Sequence, residues 1–397
     1  MAGLTTHTYI LYRALAEIQW QPATPLFAQV VESHNAALSH ARKNDAKGLG
    51  TNPSAILSGC AYIGACGPDL FYLEQEPHKG TFIADLLHYN RSGPYMIWWL
   101  RRLREQIESF ADRPILMRQF AYCLGHISHI AADITIHPYV NSIVGAYPKN
   151  PVVFKNNNGV LWKVLWKFHN ILEHYQDSYV LHRRFIGEEK MGPDQACVNL
   201  ALPAANALGA SPKNYIGLVE PTRIFYRYKT PLEMIEKSKY DFFANITNFL
   251  NVGRYYSDVI PSEKKMSLVP RLTQGGRFDE ETGKLIEPGL FDKYIEQAVG
   301  LTLAMWKEAA SFLGGGKNEP APFAGDEAHM LLSSELALFP LLRKHWNLDC
   351  GIAPTVRGGN RIRTVPPGST DTSFNVAGTL SFEPVVFDAR PDIVNPV

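Results

Sequence analysis

Apolar positions recur at helical spacing along most of this chain. In residues 5–18, Ile10, Leu11, Ala14, Leu15 and Ile18 fall on the three- and four-residue steps that line one side of an α-helix, with a threonine cap ahead of them. A second helix is expected over 25–41. A third runs through 56–66, where Gly59, Ala61, Gly64 and Ala65 permit close packing, and Gly67-Pro68 ends it with Asp69 at the break. Residues 82–90 form a mostly apolar segment carrying His88. Residues 94–109 read as a helix with Trp98 and Trp99 on one side and the charged run Arg101 to Glu105 on a solvated face. A strongly apolar helix begins near Ile115 and is expected to stop at Pro138, which has no N–H to donate.

After a Pro-, Asn- and Gly-rich loop over 141–158, a further helix is expected over 161–181. Beyond residue 185 the pattern weakens, with helices expected over 195–209, 231–250, 288–313 and 327–343 and a linker over 317–326. The tail, 348–397, is rich in turn residues, and 379–387 alternates as a strand would. No internal repeat is visible. The fold class implied is mainly α: a helical bundle over 1–315 with a smaller, partly β C-terminal extension over 316–397.

Chemistry concentrates in the helix that starts near Ile115. His129, Asp133 and His137 are four residues apart, and each such step advances only about 40° around a helix, so all three side chains share one face. Imidazole and carboxylate suit zinc, and a carboxylate between two histidines can bridge two ions. Burying that set with no cation would leave a carboxylate and several ring nitrogens to satisfy. His126 points elsewhere and reads as a packing or supporting residue. His169 and Glu173 form a second four-residue pair, which by itself is an ordinary helix-surface interaction, with Asp177 one turn further on. Taken singly, His7, in a first turn, and Asp69, after Gly-Pro, are equally ordinary.

Composition narrows the classes. With 397 residues, 46% hydrophobic and 19% charged, the chain is globular rather than disordered. A formal net charge of +1 disfavours a nucleic-acid partner. Five scattered cysteines with no C-x-x-C pair argue for free thiols rather than a disulfide framework. No secretory signal and no apolar run long enough for a membrane span are visible, so the expected location is the cytoplasm or the outside by a signal-less route.

In chain order, Thr6-His7-x-x-Ile10, Gly67-Pro68-Asp69 with Phe71-Tyr72, Gly125-x-x-x-His129-x-x-x-Asp133-x-x-x-His137, and His169-x-x-x-Glu173 resemble the motifs of the zinc-dependent phospholipase C family. Its relatives include the glycosylphosphatidylinositol-specific phospholipase D and, more remotely, the single-strand-specific zinc nucleases. The resemblance covers roughly 5–182, with His88 placed by position. It implies that eight side chains hold two to three zinc ions. Asp69, His88, His129 and Asp133 would surround one ion, Asp133 would bridge to a second with His7, and His137, His169 and Glu173 would hold the third.

Two departures stand out. The secreted bacterial members use an N-terminal Trp on one zinc, and none lies near this chain's start, although exposing Ala2 would supply an α-amino group. The Asp133-x-x-x-His137 spacing is also shorter and closer to the phospholipase D relatives. The activity implied is hydrolysis of a glycerophospholipid of the phosphatidylcholine type at a membrane surface, to diacylglycerol and a phosphorylated head group. Asp69 would orient or deprotonate the attacking water. The alternatives are a zinc nuclease for single-stranded nucleic acid, phospholipase D-type cleavage, and a non-catalytic protein with structural zinc. Oligomeric state is not legible.

Overall fold

A helix that is apolar on every side has to lie inside the molecule, and the stretch around His129 is built that way. The computed structural model describes residues 3–18, 25–43, 53–69, 84, 87–88, 92–108, 113–144, 172–173, 176–192, 195, 200, 204, 277–278, 285–287, 289–314, 338–343, 348, 352–356 and 380–384. At its centre runs the 32-residue helix Arg113–Val144, with every residue of 120–140 buried. In chain order the α-helices among the described residues are α1 (Leu4–Glu17), α2 (Pro25–Arg42), α3 (Ile56–Cys66), α4 (Ser92–Glu108), α5 (Arg113–Val144) and α6 (Leu290–Gly314). The described part of the protein is therefore mainly α.

Around α5, helix α3 makes the most extensive contact, followed by α6 and α4; α1 touches α3, α5 and α6, and α2 covers α3. The α3–α5 contact is close because small residues meet across it. A Cβ placed on Gly64 would lie 2.2 Å from the Tyr122 carbonyl oxygen, and one on Gly125 would lie 1.9 Å from that of Ala61. Trp306 of α6 donates its indole N–H to the Leu124 carbonyl at 2.9 Å, fixing α6 against the same stretch of α5.

The predicted apolar stripe of α1 is inside: Ile10, Leu11, Ala14 and Leu15 are buried and Ile18 packs against the core. The expected threonine cap is not what starts this helix. Its N-cap is Gly3, and the carboxylate of Asp177 accepts from the Thr5 N–H (3.2 Å), the Thr6 N–H (2.9 Å) and the Thr6 hydroxyl (2.8 Å). A side chain from the Glu173 region thus satisfies donors that a local cap would take. Burial pushes Asp177 up to about 7, although its bonds from Thr6 and Thr5 oppose the shift.

Two helix ends depart from expectation. Pro138 lies within α5, which continues to Val144. The turn after it is held by packing, since Tyr139 stacks on Tyr294 at 4.8 Å between ring centroids and Val140 is fully buried; this offsets the one lost hydrogen bond. The helix expected to end near 181 continues as a π-helix, Val180–Glu188. It is tied to α6 through the Tyr179 hydroxyl on Asp292 (2.7 Å) and Arg184 on Glu296 (2.9 Å), while Arg13 of α1 reaches the same Glu296.

The strands are few. β1 (Arg277–Phe278) pairs antiparallel with β2 (Leu285–Glu287), and β3 (Ile352–Val356) with β4 (Leu380–Pro384), β4 lying within the alternating stretch expected over 379–387, whose other residues are outside the described ones. Residues 338–343 form a hydrogen-bonded turn instead of finishing a helix. The N–H groups of Leu341 and Leu342 are spent on the Glu308 carboxylate of α6, at 2.8 and 3.1 Å. The helices expected over 195–209 and 231–250 and the linker over 317–326 lie wholly or largely outside the described residues. Cys60, Cys66 and Cys123 are free buried thiols, as the sequence suggested.

One buried group away from these features makes stability pH-dependent. His34 of α2 is fully buried beside Tyr12 and Tyr62, neither ring nitrogen makes a hydrogen bond among the described residues, and burial lowers its pKa to about 3. Its folded pKa lies below its unfolded value, so its neutral form stabilises the fold fully above about pH 6.5, and that contribution is lost as pH falls from 6.5 towards 3. His34→Phe should therefore flatten the acid limb of a urea-midpoint-versus-pH curve. A limb as steep as wild type over pH 4–6.5 would contradict this.

Candidate metal centre

Five separated parts of the chain meet beside the buried middle of α5. His7 comes from the first turns of α1, Asp69 from the short 3-10 turn that begins at Gly67, and His88 from a helical stretch; α5 supplies His129, Asp133 and His137, and Glu173 comes from the segment ahead of Asp177. Gly67 makes the turn possible with φ +44°, and its Cα faces the His129 ring closely enough that a Cβ there would sit 3.1 Å from the imidazole. His169 lies outside the described residues.

Asp133 is the hub. Its Oδ1 is 3.3 Å from His7 Nε2 and 3.6 Å from His137 Nε2, and its Oδ2 is 3.1 Å from His129 Nε2 and 3.7 Å from His88 Nε2. Asp69 lies on one flank, 3.1 Å from His88 Nε2 and 3.9 Å from His7 Nε2, and Glu173 on the other, 3.5 Å from His137 Nε2. The ligand atoms of His7, Asp69 and His129 lie within 4.8 Å of one another, and so do those of His88, His129 and Asp133. The rings of His7 and His129 stack at 4.1 Å. All seven side chains are buried.

The hydrogen bonds on the far side of the rings show what the near side is for. His88 Nδ1 bonds the Ala84 carbonyl at 2.8 Å, His129 Nδ1 that of Ala65 at 3.0 Å, and His137 Nδ1 that of Leu348 at 2.7 Å. A carbonyl only accepts, so each Nδ1 carries the proton, and a neutral ring then turns the Nε2 lone pair towards the carboxylates. Lone pair facing carboxylate across 3.1–3.7 Å is repulsive unless positive charge lies between. Protons are poorly placed to supply it at His129, where burial and then His7 lower the pKa. Burial opposes charge on Asp133 too, but positive charge at His137, His129 and His7 outweighs it and holds the carboxyl well below the usual range; where those rings are neutral, a cation between them and the carboxylate would supply the same charge. His137 is drawn up by Asp133 and Glu173 against its burial, so there a proton competes with a cation. Imidazoles oriented through Nδ1 and an ionised bridging carboxylate are the donor set of a zinc site, supporting shell included.

His126, one helical turn before His129, packs its ring among Tyr95, Tyr122 and His129 and is fully buried, in keeping with a packing role. Tyr62, Trp98 and Trp99 are core residues; Phe71, Tyr72, Tyr89, Trp162 and Trp166 lie outside the described residues. The carbonyls of Ala65, Ala84 and Leu348 carry no signal in the sequence, since every residue has one. No described helix is long and apolar enough to cross a membrane.

A buried, multi-carboxylate, multi-histidine centre projected inward from facing helices is the arrangement in which helical bundles hold metal ions. The family model described as zinc dependent phospholipase C matches residues 6–215, more than half of the chain, which takes in all seven clustered side chains and His169. The chain belongs to the zinc-dependent phospholipase C family. Searches of the curated proteins and of the solved structures each returned no match.

Proposed function

We propose that this protein hydrolyses glycerophospholipid phosphodiesters of the phosphatidylcholine type at a membrane surface, releasing diacylglycerol and the phosphorylated head group. The observation that carries the reading is the set of carbonyl-anchored imidazoles converging on Asp133 between Asp69 and Glu173. His7, Asp69, His88, His129, Asp133, His137, His169 and Glu173 are the residues that would hold two to three zinc ions. Zinc in such a site supplies positive charge to a phosphoryl oxygen and makes a bound water more acidic.

The chain's own residues do the rest. Asp69 sits on the turn at the edge of the cluster, in contact with His88, where its carboxylate orients a water and takes its proton as oxygen attacks phosphorus in line with the leaving alkoxide. The carbonyl bonds on His88, His129 and His137 fix those rings around Asp133, so that little would reorganise during the reaction.

The test offers purified protein phosphatidylcholine vesicles, a glycosylphosphatidylinositol anchor and single-stranded DNA in parallel, with and without chelator. Chelator-sensitive release of phosphorylated head group from phosphatidylcholine is expected, and Asp69→Asn should lower its kcat by about 10²–10⁴-fold. Turnover of DNA with no lipid product would overturn the proposal in favour of a nuclease.

A further inference from the structure

Leu348, far beyond the family-matched residues 6–215, touches the metal centre twice. Its carbonyl accepts the Nδ1 proton of His137 at 2.7 Å, and its own N–H donates to the backbone carbonyl of His88 at 3.0 Å. These two histidines stand on opposite oxygens of Asp133, 3.6 Å from Oδ1 and 3.7 Å from Oδ2. One fully buried residue therefore spans the hub carboxylate and sets both the tautomer of one ring and the backbone position of the other.

The turn just before Leu348 in the chain, 338–343, is anchored on α6. The Glu308 carboxylate of α6 accepts from Leu341 and Leu342, the Arg343 N–H bonds the Phe339 carbonyl at 2.9 Å, and Phe339 packs on Phe312 with ring centroids 5.1 Å apart. Phe339 and Leu342 are fully buried. The turn is thus held on α6, and only four residues of chain separate it from Leu348, the residue that clasps the cluster.

We infer that the 338–343 turn and Leu348 act together as a positioning element of the metal centre, with Leu348 as the working residue and Glu308 as the mooring, so that part of the C-terminal region belongs functionally to the helical domain. This rests on reading the cluster as a metal site. Loss of the clasp should weaken metal binding more than it loosens the bundle, because the bonds it breaks orient ligands and the helices keep their own packing. Outer partners of this kind are typically worth about 10–100-fold in metal affinity.

The experiment compares full-length wild type with Glu308→Ala, Glu308→Gln and Leu348→Pro. Zinc affinity is read by competition with a chromophoric chelator, the ligand field by the visible spectrum of the cobalt(II)-loaded protein, and the segment itself by hydrogen–deuterium exchange. Glu308→Ala is expected to weaken zinc binding about 10–100-fold and shift the cobalt bands, with Glu308→Gln in between because it retains one acceptor. Leu348→Pro removes the N–H that bonds the His88 carbonyl, along with a buried side chain, while keeping the carbonyl that bonds His137, and should also weaken binding. By linkage, zinc should slow exchange across 338–348 in wild type and much less in Glu308→Ala. Wild-type zinc affinity in Glu308→Ala, with the segment shown by exchange to be released, would overturn the inference even if Leu348→Pro fails to fold. A wild-type protein that binds no zinc would instead bring down the metal reading on which it rests.

Discussion

Asp133→Asn is expected to lower kcat/KM by at least about 10³-fold, equivalent to about 4 kcal/mol of transition-state stabilisation, and to reduce the zinc retained per chain. The substitution preserves volume and removes a charge. In the wild type the charge is held by three neighbours, with His137, His129 and His7 outweighing the burial that would protonate it. Those rings and His88 all direct Nε2 at its two oxygens. An amide presents one acceptor and one donor, so it can serve ligands on one side only, and its N–H₂ is useless to a cation. No other carboxylate among the described residues is in contact with four imidazoles of this cluster: Asp69 contacts His88 and His7, and Glu173 contacts His137. The single substitution should therefore disturb both described ligand groupings together. Zinc analysis and kinetics on the same preparation check it. A variant that keeps its full metal complement and turns over within tenfold of wild type would show that Asp133 is not the bridge.

Much of this centre was legible because the helical period places His129, Asp133 and His137 on one face whatever surrounds them. The order of motifs then added His7, Asp69, His88, His169 and Glu173, and the structure brings His7, Asp69, His88 and Glu173 together with the three α5 side chains into one cluster of seven, His169 lying outside the described residues. What could not be read is whatever runs through the main chain or across long separations. Asp177 looked like one more residue on a ligand helix, yet it starts α1, because a buried carboxylate satisfies orphan N–H groups from any element that reaches it. Leu348 is an unremarkable leucine whose contribution is two backbone atoms. Pro138 was read through its missing donor, and the competing term, aromatic packing of Tyr139 on Tyr294 and Phe291, leaves no local signature.

Gly125→Ala is the substitution expected to cost the fold most for one added methyl. Its Cβ would stand 1.9 Å from the Ala61 carbonyl oxygen, 2.6 Å from the Ala65 nitrogen and 2.8 Å from the Gly64 carbonyl carbon. All three are backbone atoms of α3, so no side chain can swing aside and the two helices have to separate. Overpacking of this kind costs about 1–3 kcal/mol even where neighbours yield, and the upper end or more is expected here. The same interface carries the His129 Nδ1 bond to Ala65, so separation lengthens the contact that aims His129 at Asp133, and zinc affinity should fall by about tenfold along with the urea midpoint. Gly300→Ala supplies the opposite sign for comparison: it lies on an exposed side of α6 with nothing within 4 Å of an added Cβ. There, relief of glycine's helix penalty should stabilise the protein by about 0.5–1 kcal/mol with zinc binding unchanged. If Gly125→Ala unfolds at the wild-type urea concentration, α3 and α5 do not touch through their glycines, and the placement of His129 has to be explained in some other way.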